Sequence, residues 1–143
     1  MNKLLIALFA TIVSVTSFAK GGEPLPATTD SKKDVVEVLY FHGKQRCITC
    51  KSIEKHTKDV LTAYFADQVK NGKIVFRVID ISQPANEKIA EKYEVTWSSL
   101  FINKWKGGKE KVNNMTEFGF SYAKSSPDVF KAGVKKKIEE LLK

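Results

Sequence analysis

Two cysteines, Cys47 and Cys50, are the only thiols in this 143-residue chain, and they lie three positions apart in the stretch "YFHGKQRCITCKSIEKH", Tyr40 to His56. A bridge between them closes too small a loop to restrict much of the unfolded chain, so it adds little to stability. Its chemistry is the better reason to keep it. A thiolate is the nucleophile in disulfide exchange, and a second thiol one helical turn away can attack the mixed disulfide that forms and release the product. In that order Cys47 attacks and Cys50 resolves. Arg46 directly before Cys47, with Lys44 and Lys51 close in sequence, favours the thiolate.

A metal site is the competing chemistry. Cys47, Cys50 and His42 would supply three ligands, one short of a closed zinc site, and there is no second C-x-x-C or paired histidine motif. Copper(I) or a thiophilic metalloid such as arsenite could manage with two or three soft ligands. The expected metal set is therefore none for exchange, and Cys47, Cys50 and His42 for the alternative of a binding or delivery protein. His56 is expected on a helix surface and is a weaker candidate. A pair of cysteines without any chemical role is the third reading.

The chain is long enough to bury one core without disulfides, and its hydrophobic content of 43% suits a single globular domain. Its first residues read as an export signal: Lys3, an apolar run from Leu4 to Val15, and small residues at Ser17-Phe18-Ala19. The run is too short for a membrane span, which needs about 20 apolar residues. Cleavage after Ala19 takes away one lysine and no acid, so the formal charge falls from +8 to +7. Basic residues are scattered, which suits a solvated basic surface rather than a nucleic-acid site. Residues 20–33, "KGGEPLPATTDSKK", read as a flexible lead-in, leaving 34–143 as the domain.

The elements that position the cysteines follow from patterning. "DVVEVLYF" from Asp34 is short, branched and aromatic, and predicts a buried strand ending at a polar loop that delivers the chain to Cys47. Ile53, Thr57, Val60, Leu61, Tyr64, Phe65 and Val69 fall at helical spacing until Asn71-Gly72, so the cysteines sit in the first turn of a long helix. "KIVFRVIDI" predicts a second strand, and "SQPANEKIAEKYEV" a helix opened by Pro84. "SLFINKW" and "KVNNMTEFGFSY" read as two strands of a hairpin turning at Lys106 to Lys109. Ser126 and Pro127 open a closing amphipathic helix with Val129, Phe130, Gly133, Val134, Ile138, Leu141 and Leu142 on its stripe. The order β-α-β-α-β-β-α implies two strand–helix–strand units with parallel pairing, a closing antiparallel hairpin, and helices on both faces of one mixed sheet.

At this point the chain resembles the thioredoxin-like family over most of Asp34 to Lys143. The resemblance is carried by the strand ending in Tyr40-Phe41, by Cys47-Ile48-Thr49-Cys50 opening a helix, by "VIDI", by "YEV" before a new strand, and by "FINKWKGGK". It implies an α/β three-layer sandwich with a central mixed sheet, Cys47 as attacking thiol, Cys50 as resolving thiol, and Arg46, Ile48, Thr49, His42 and Ser99 as neighbours. Three departures stand out. Ser99 occupies the place of the family's cis-proline, and a non-proline cis bond costs about 2.5–4 kcal/mol, so a trans peptide is expected there. Arg46 replaces the usual aromatic residue before the first cysteine, and Tyr40 the usual buried acid. Trp97 could restore an aromatic wall or simply pack half-buried. The expectation is an exported thiol–disulfide oxidoreductase, periplasmic or secreted. It would be monomeric, need no cofactor, act on protein thiols and disulfides, and draw on a membrane electron donor if it reduces them.

Overall fold

The computed structural model describes residues 34–143; the expected signal peptide (1–19) and lead-in (20–33) lie outside the described residues. Four strands form one sheet in the order β2-β1-β3-β4: β1 (Val35–His42), β2 (Ile74–Asp80), β3 (Ser99–Lys106) and β4 (Lys109–Lys111). β1 is the hub, parallel to β2 from Val36↔Ile74 to His42↔Asp80 and antiparallel to β3 from Val35↔Trp105 to Phe41↔Ser99. Being buried on both faces, it reads as an apolar run rather than an alternation.

The helices are α1 (Ile48–Tyr64), α2 (Ala66–Lys70), α3 (Glu87–Lys92), α4 (Thr116–Tyr122) and α5 (Pro127–Leu142). One face of β1, with Val36, Val38 and Tyr40, packs with Ile53, Val60 and Leu61 of α1 and Phe130, Val134 and Ile138 of α5. The other face, with Leu39 and Phe41, packs with Ile79, Val95 and Phe101 and with Ile89 and Tyr93 of the α3 segment. The result is a three-layer α/β sandwich around a mixed sheet.

The expected parallel pairing of a second strand–helix–strand unit is not what forms: β3 runs antiparallel to β1. The chain does not cross back: α3 has six residues, about 9 Å of rise, and does not carry it the roughly 26 Å along an eight-residue strand. β3 therefore starts at the end of the sheet where β2 stopped, which is the cysteine end.

Three other expectations are corrected. The long helix breaks at Phe65 (φ −132°, ψ 20°), which turns that ring into the core and leaves Tyr64 and Val69 exposed. "SQPANEKIAEKYEV" begins as a 3-10 turn at Pro84–Asn86 before α3. The largest correction is that "KVNNMTEFGFSY" is mostly helix: β4 stops at Lys111 and α4 begins at Thr116. Asn114 Oδ1 accepts from the Thr116 amide and starts the turn. Thr116, Gly119 and Ala123 then face inward at helical spacing. The Gly107-Gly108 turn joins β3 to β4 with φ of 55° and 76°, the left-handed pair that a two-residue hairpin turn requires.

Candidate active site

Cys47 is the N-cap of α1. Its extended backbone (φ −71°, ψ 168°) aims the side chain back at the helix, and its Sγ accepts from the Cys50 amide at 3.1 Å. An N-cap ordinarily spends an oxygen on this orphan amide; here a sulfur takes the place, at the positive end of a 17-residue helix. The same contact serves a thiolate better than a thiol, because the amide donates to it. Cys47 is exposed and Cys50 is 6% exposed, so only the first sulfur can be reached from outside. The two are joined as a disulfide, with Cα atoms 5.1 Å apart.

Beneath the pair, Tyr40 is fully buried and its hydroxyl donates to the Cys50 carbonyl at 2.7 Å. Burial pushes that hydroxyl above its ordinary pKa, with Arg46 and Ser98 facing it and only partly offsetting the effect. Tyr40 is thus a neutral donor where the resemblance implied a missing acid. Arg46 lies over the Tyr40 ring, 5.6 Å from its centroid, and ion-pairs with Glu54. Burial alone would raise the Glu54 carboxyl, but bonds from Lys58 and Arg46 outweigh it and hold the group below its ordinary value. Arg46 is therefore not an unopposed positive neighbour of Cys47: its charge is shared with an acid one turn beyond Cys50.

A cavity of about 570 Å³ opens beside the cysteines, lined by Arg46, Cys47, Cys50, Trp97, Ser98 and Phe120 among others. Trp97 is 60% exposed and stacks on Phe120 of α4 with ring centroids 5.2 Å apart and planes 18° from parallel. The aromatic wall is made by this pair, and Phe120 was invisible to a reading that put it in a strand. A second cavity, about 720 Å³, shares the same two rings in its lining.

The remaining expected neighbours are placed as follows. Ile48 is 69% exposed and Thr49 half-buried in the first turn of α1. Ser99 is buried at the start of β3, with its Oγ donating to the Trp97 carbonyl at 3.2 Å; it lines the second cavity, and Ser98 rather than Ser99 lines the first. Every peptide bond among the described residues is trans, including the one before Ser99. His42 ends β1 with Nδ1 3.0 Å from the Gly43 carbonyl oxygen and is not part of the cysteine cavity. Among the described residues no three His, Cys, Asp or Glu groups converge, so the three-ligand set of Cys47, Cys50 and His42 is not assembled. His56 is not a free surface group either: its side chain is 15% exposed and sits between Asp59 and the Phe130 ring.

Glu54, like Phe120, is a site residue that the sequence reading missed. Its signal was present, because positions 47, 50 and 54 share one helix face, but a charged residue in an amphipathic helix is assigned to solvent by default.

No protein-family model and no curated protein sequence matches the chain. Among solved structures it is similar to a thioredoxin-2 described as a component of malaria parasite protein secretion machinery, at 24% identity over 73% of this chain and 84% of that one, with a TM-score of 0.45. It is also similar to a malarial protein at 21% identity over 72% of this chain and 96% of that one, with a TM-score of 0.43. The strand order β2-β1-β3-β4, the helices on both faces and a cysteine pair opening the helix after β1 together give residues 34–143 a thioredoxin-like fold.

Proposed function

We propose that the chain is an exported thiol–disulfide oxidoreductase acting on protein substrates through Cys47 and Cys50. The observation that carries this is the asymmetry of the pair: an exposed sulfur capping a helix, bridged to a buried one at the mouth of an aromatic-walled cavity. A fold that only needed a staple would have no use for that arrangement.

In the reducing direction the Cys47 thiolate attacks one sulfur of a substrate disulfide. That S–S bond breaks, a Cys47–substrate bond forms, and the other substrate sulfur leaves as a thiolate. Cys50, deprotonated, attacks Cys47 Sγ, which frees the second substrate sulfur and leaves the Cys47–Cys50 disulfide. Two electrons pass to the substrate. The oxidising direction is the reverse, and each substrate dithiol then leaves the protein reduced. As a reductase the protein would be recharged by a membrane dithiol donor; as an oxidase, by an oxidant of the same compartment.

The test is equilibration of the pair across glutathione buffers, using chain recovered from the periplasm or medium, whose N-terminus the reading puts at Lys20. A potential between roughly −120 and −270 mV is expected. A pair that never equilibrates, or an export fraction that contains no processed chain, would remove the corresponding half of the proposal. Thiols protected from alkylation until a chelator is added would replace exchange by metal or metalloid holding.

A further inference from the structure

Arg46 precedes Cys47 and lines the cysteine cavity, yet its guanidinium turns to the Glu54 carboxylate, one helical turn beyond Cys50. Its Nε is buried and has no hydrogen-bond partner. The guanidinium lies over the ring of Tyr40, whose hydroxyl holds the Cys50 carbonyl. Glu54 is itself shared, because Lys58 bonds its other oxygen. An unpaired buried donor is costly. The disulfide offers it no anion, whereas reduction creates one in the adjacent residue, at Cys47 Sγ.

We infer that Glu54 is a positioning residue for exchange: by holding Arg46 it withholds positive charge from Cys47, and so sets how readily the thiolate forms and how the dithiol and disulfide forms balance. The inference rests on the exchange reading but works through charge placement alone. The other charged groups nearby, Lys44 in the loop and Lys51 on α1, are exposed and stay the same in every variant below.

The experiment is a double-mutant cycle on Glu54→Gln and Arg46→Gln in the mature chain at neutral pH. One readout is the rate at which iodoacetamide alkylates Cys47 in the reduced protein. The other is the glutathione equilibrium, in which the protein disulfide and two glutathione thiols give the protein dithiol and one glutathione disulfide. Glu54→Gln speeds alkylation and moves the equilibrium toward dithiol, each by about three- to tenfold, the size of one partly screened charge. Arg46→Gln moves both the other way. In the Arg46→Gln background Glu54→Gln has little further effect, because its route is gone. Glu54→Asp, which keeps the charge, restores the wild-type values.

Equal rates in wild type and Glu54→Gln, or strictly additive effects, overturn the inference. If Glu54→Gln does not fold, Lys58→Met serves instead: without its second partner Glu54 holds Arg46 more firmly and alkylation slows, so an unchanged rate there is equally fatal. A protein that follows this alkylation pattern yet never equilibrates with glutathione would sink the exchange reading and leave the role of Glu54 standing.

Discussion

At the scale of single residues, the division of labour between the cysteines follows from where each sulfur sits. Cys47 is exposed at the helix N-cap, so under the proposed exchange its substitution removes the nucleophile; Cys50 is buried and its carbonyl is held by Tyr40, so under the same proposal its substitution removes only the exit step. Cys47→Ser is expected to abolish exchange, with a rate no faster than buffer. Cys50→Ser is expected to accumulate mixed disulfides with substrates, visible as bands on non-reducing gels that vanish on reduction. Turnover by the Cys47→Ser protein would end the nucleophile assignment. The cysteines were legible in the sequence because spacing alone restricts what two thiols can do. Tyr40 and Arg46 were only half legible and Glu54 was missed: which partner each would choose depends on contacts across strand, loop and helix that no spacing encodes.

Among the elements, α4 is what distinguishes the site, and its packing gives a direct test. A Cβ added at Gly133 of α5 would overlap the Phe118 ring of α4. That ring is backed by Phe130, 6.0 Å away, and by Tyr122. Alanine gains about 1 kcal/mol of helix propensity over glycine, while overpacking costs typically 1–3 kcal/mol. With the ring braced on two sides the second effect wins. Gly133→Ala should lower stability by about 1 kcal/mol in urea unfolding, whereas stabilisation would mean that Phe118 swings free. The same helix shows why part of the fold was illegible. Phe118, Phe120 and Tyr122 alternate with polar or small residues and mimic a strand, while the inward positions are Thr116, Gly119 and Ala123, which hardly register as apolar. β1, β2, α1 and α5 were readable because their core positions are large and aliphatic or aromatic. The direction of β3 was not, since it turned on whether the segment after β2 crosses back along the sheet.

For the whole molecule, charge and acid stability are linked. Asp59 on α1 bonds Lys55, His56 and Lys131 of α5, and chiefly through Lys55, against an opposing effect of burial, its carboxyl is held at about 2. Glu54 is lowered as well, despite its burial. A carboxyl whose folded pKa is depressed contributes stability that is complete above the unfolded value and is lost as pH falls through the folded one. For Asp59 that window runs from 3.8 down to about 2. There the acids also cease to oppose 24 Lys and Arg side chains, and self-repulsion grows. The thermal midpoint should fall across this window, and Asp59→Asn should flatten part of the fall; an unaltered slope in that variant would exclude the Asp59 cluster as its source.

The last strand carries a consequence for life at high concentration. β4 is three residues long, and its register sets Lys104 opposite Lys111 and Lys106 opposite Lys109. Like charges facing each other weaken a ladder, so the hairpin leans on Trp105, which faces Glu110, and on Asn113, whose amide donates to the Asn103 side chain. A neighbouring chain that tried to extend the sheet here would meet Lys109 and Lys111 on the outer strand and find only three residues to pair with. That border of the sheet is a poor template for a neighbouring strand.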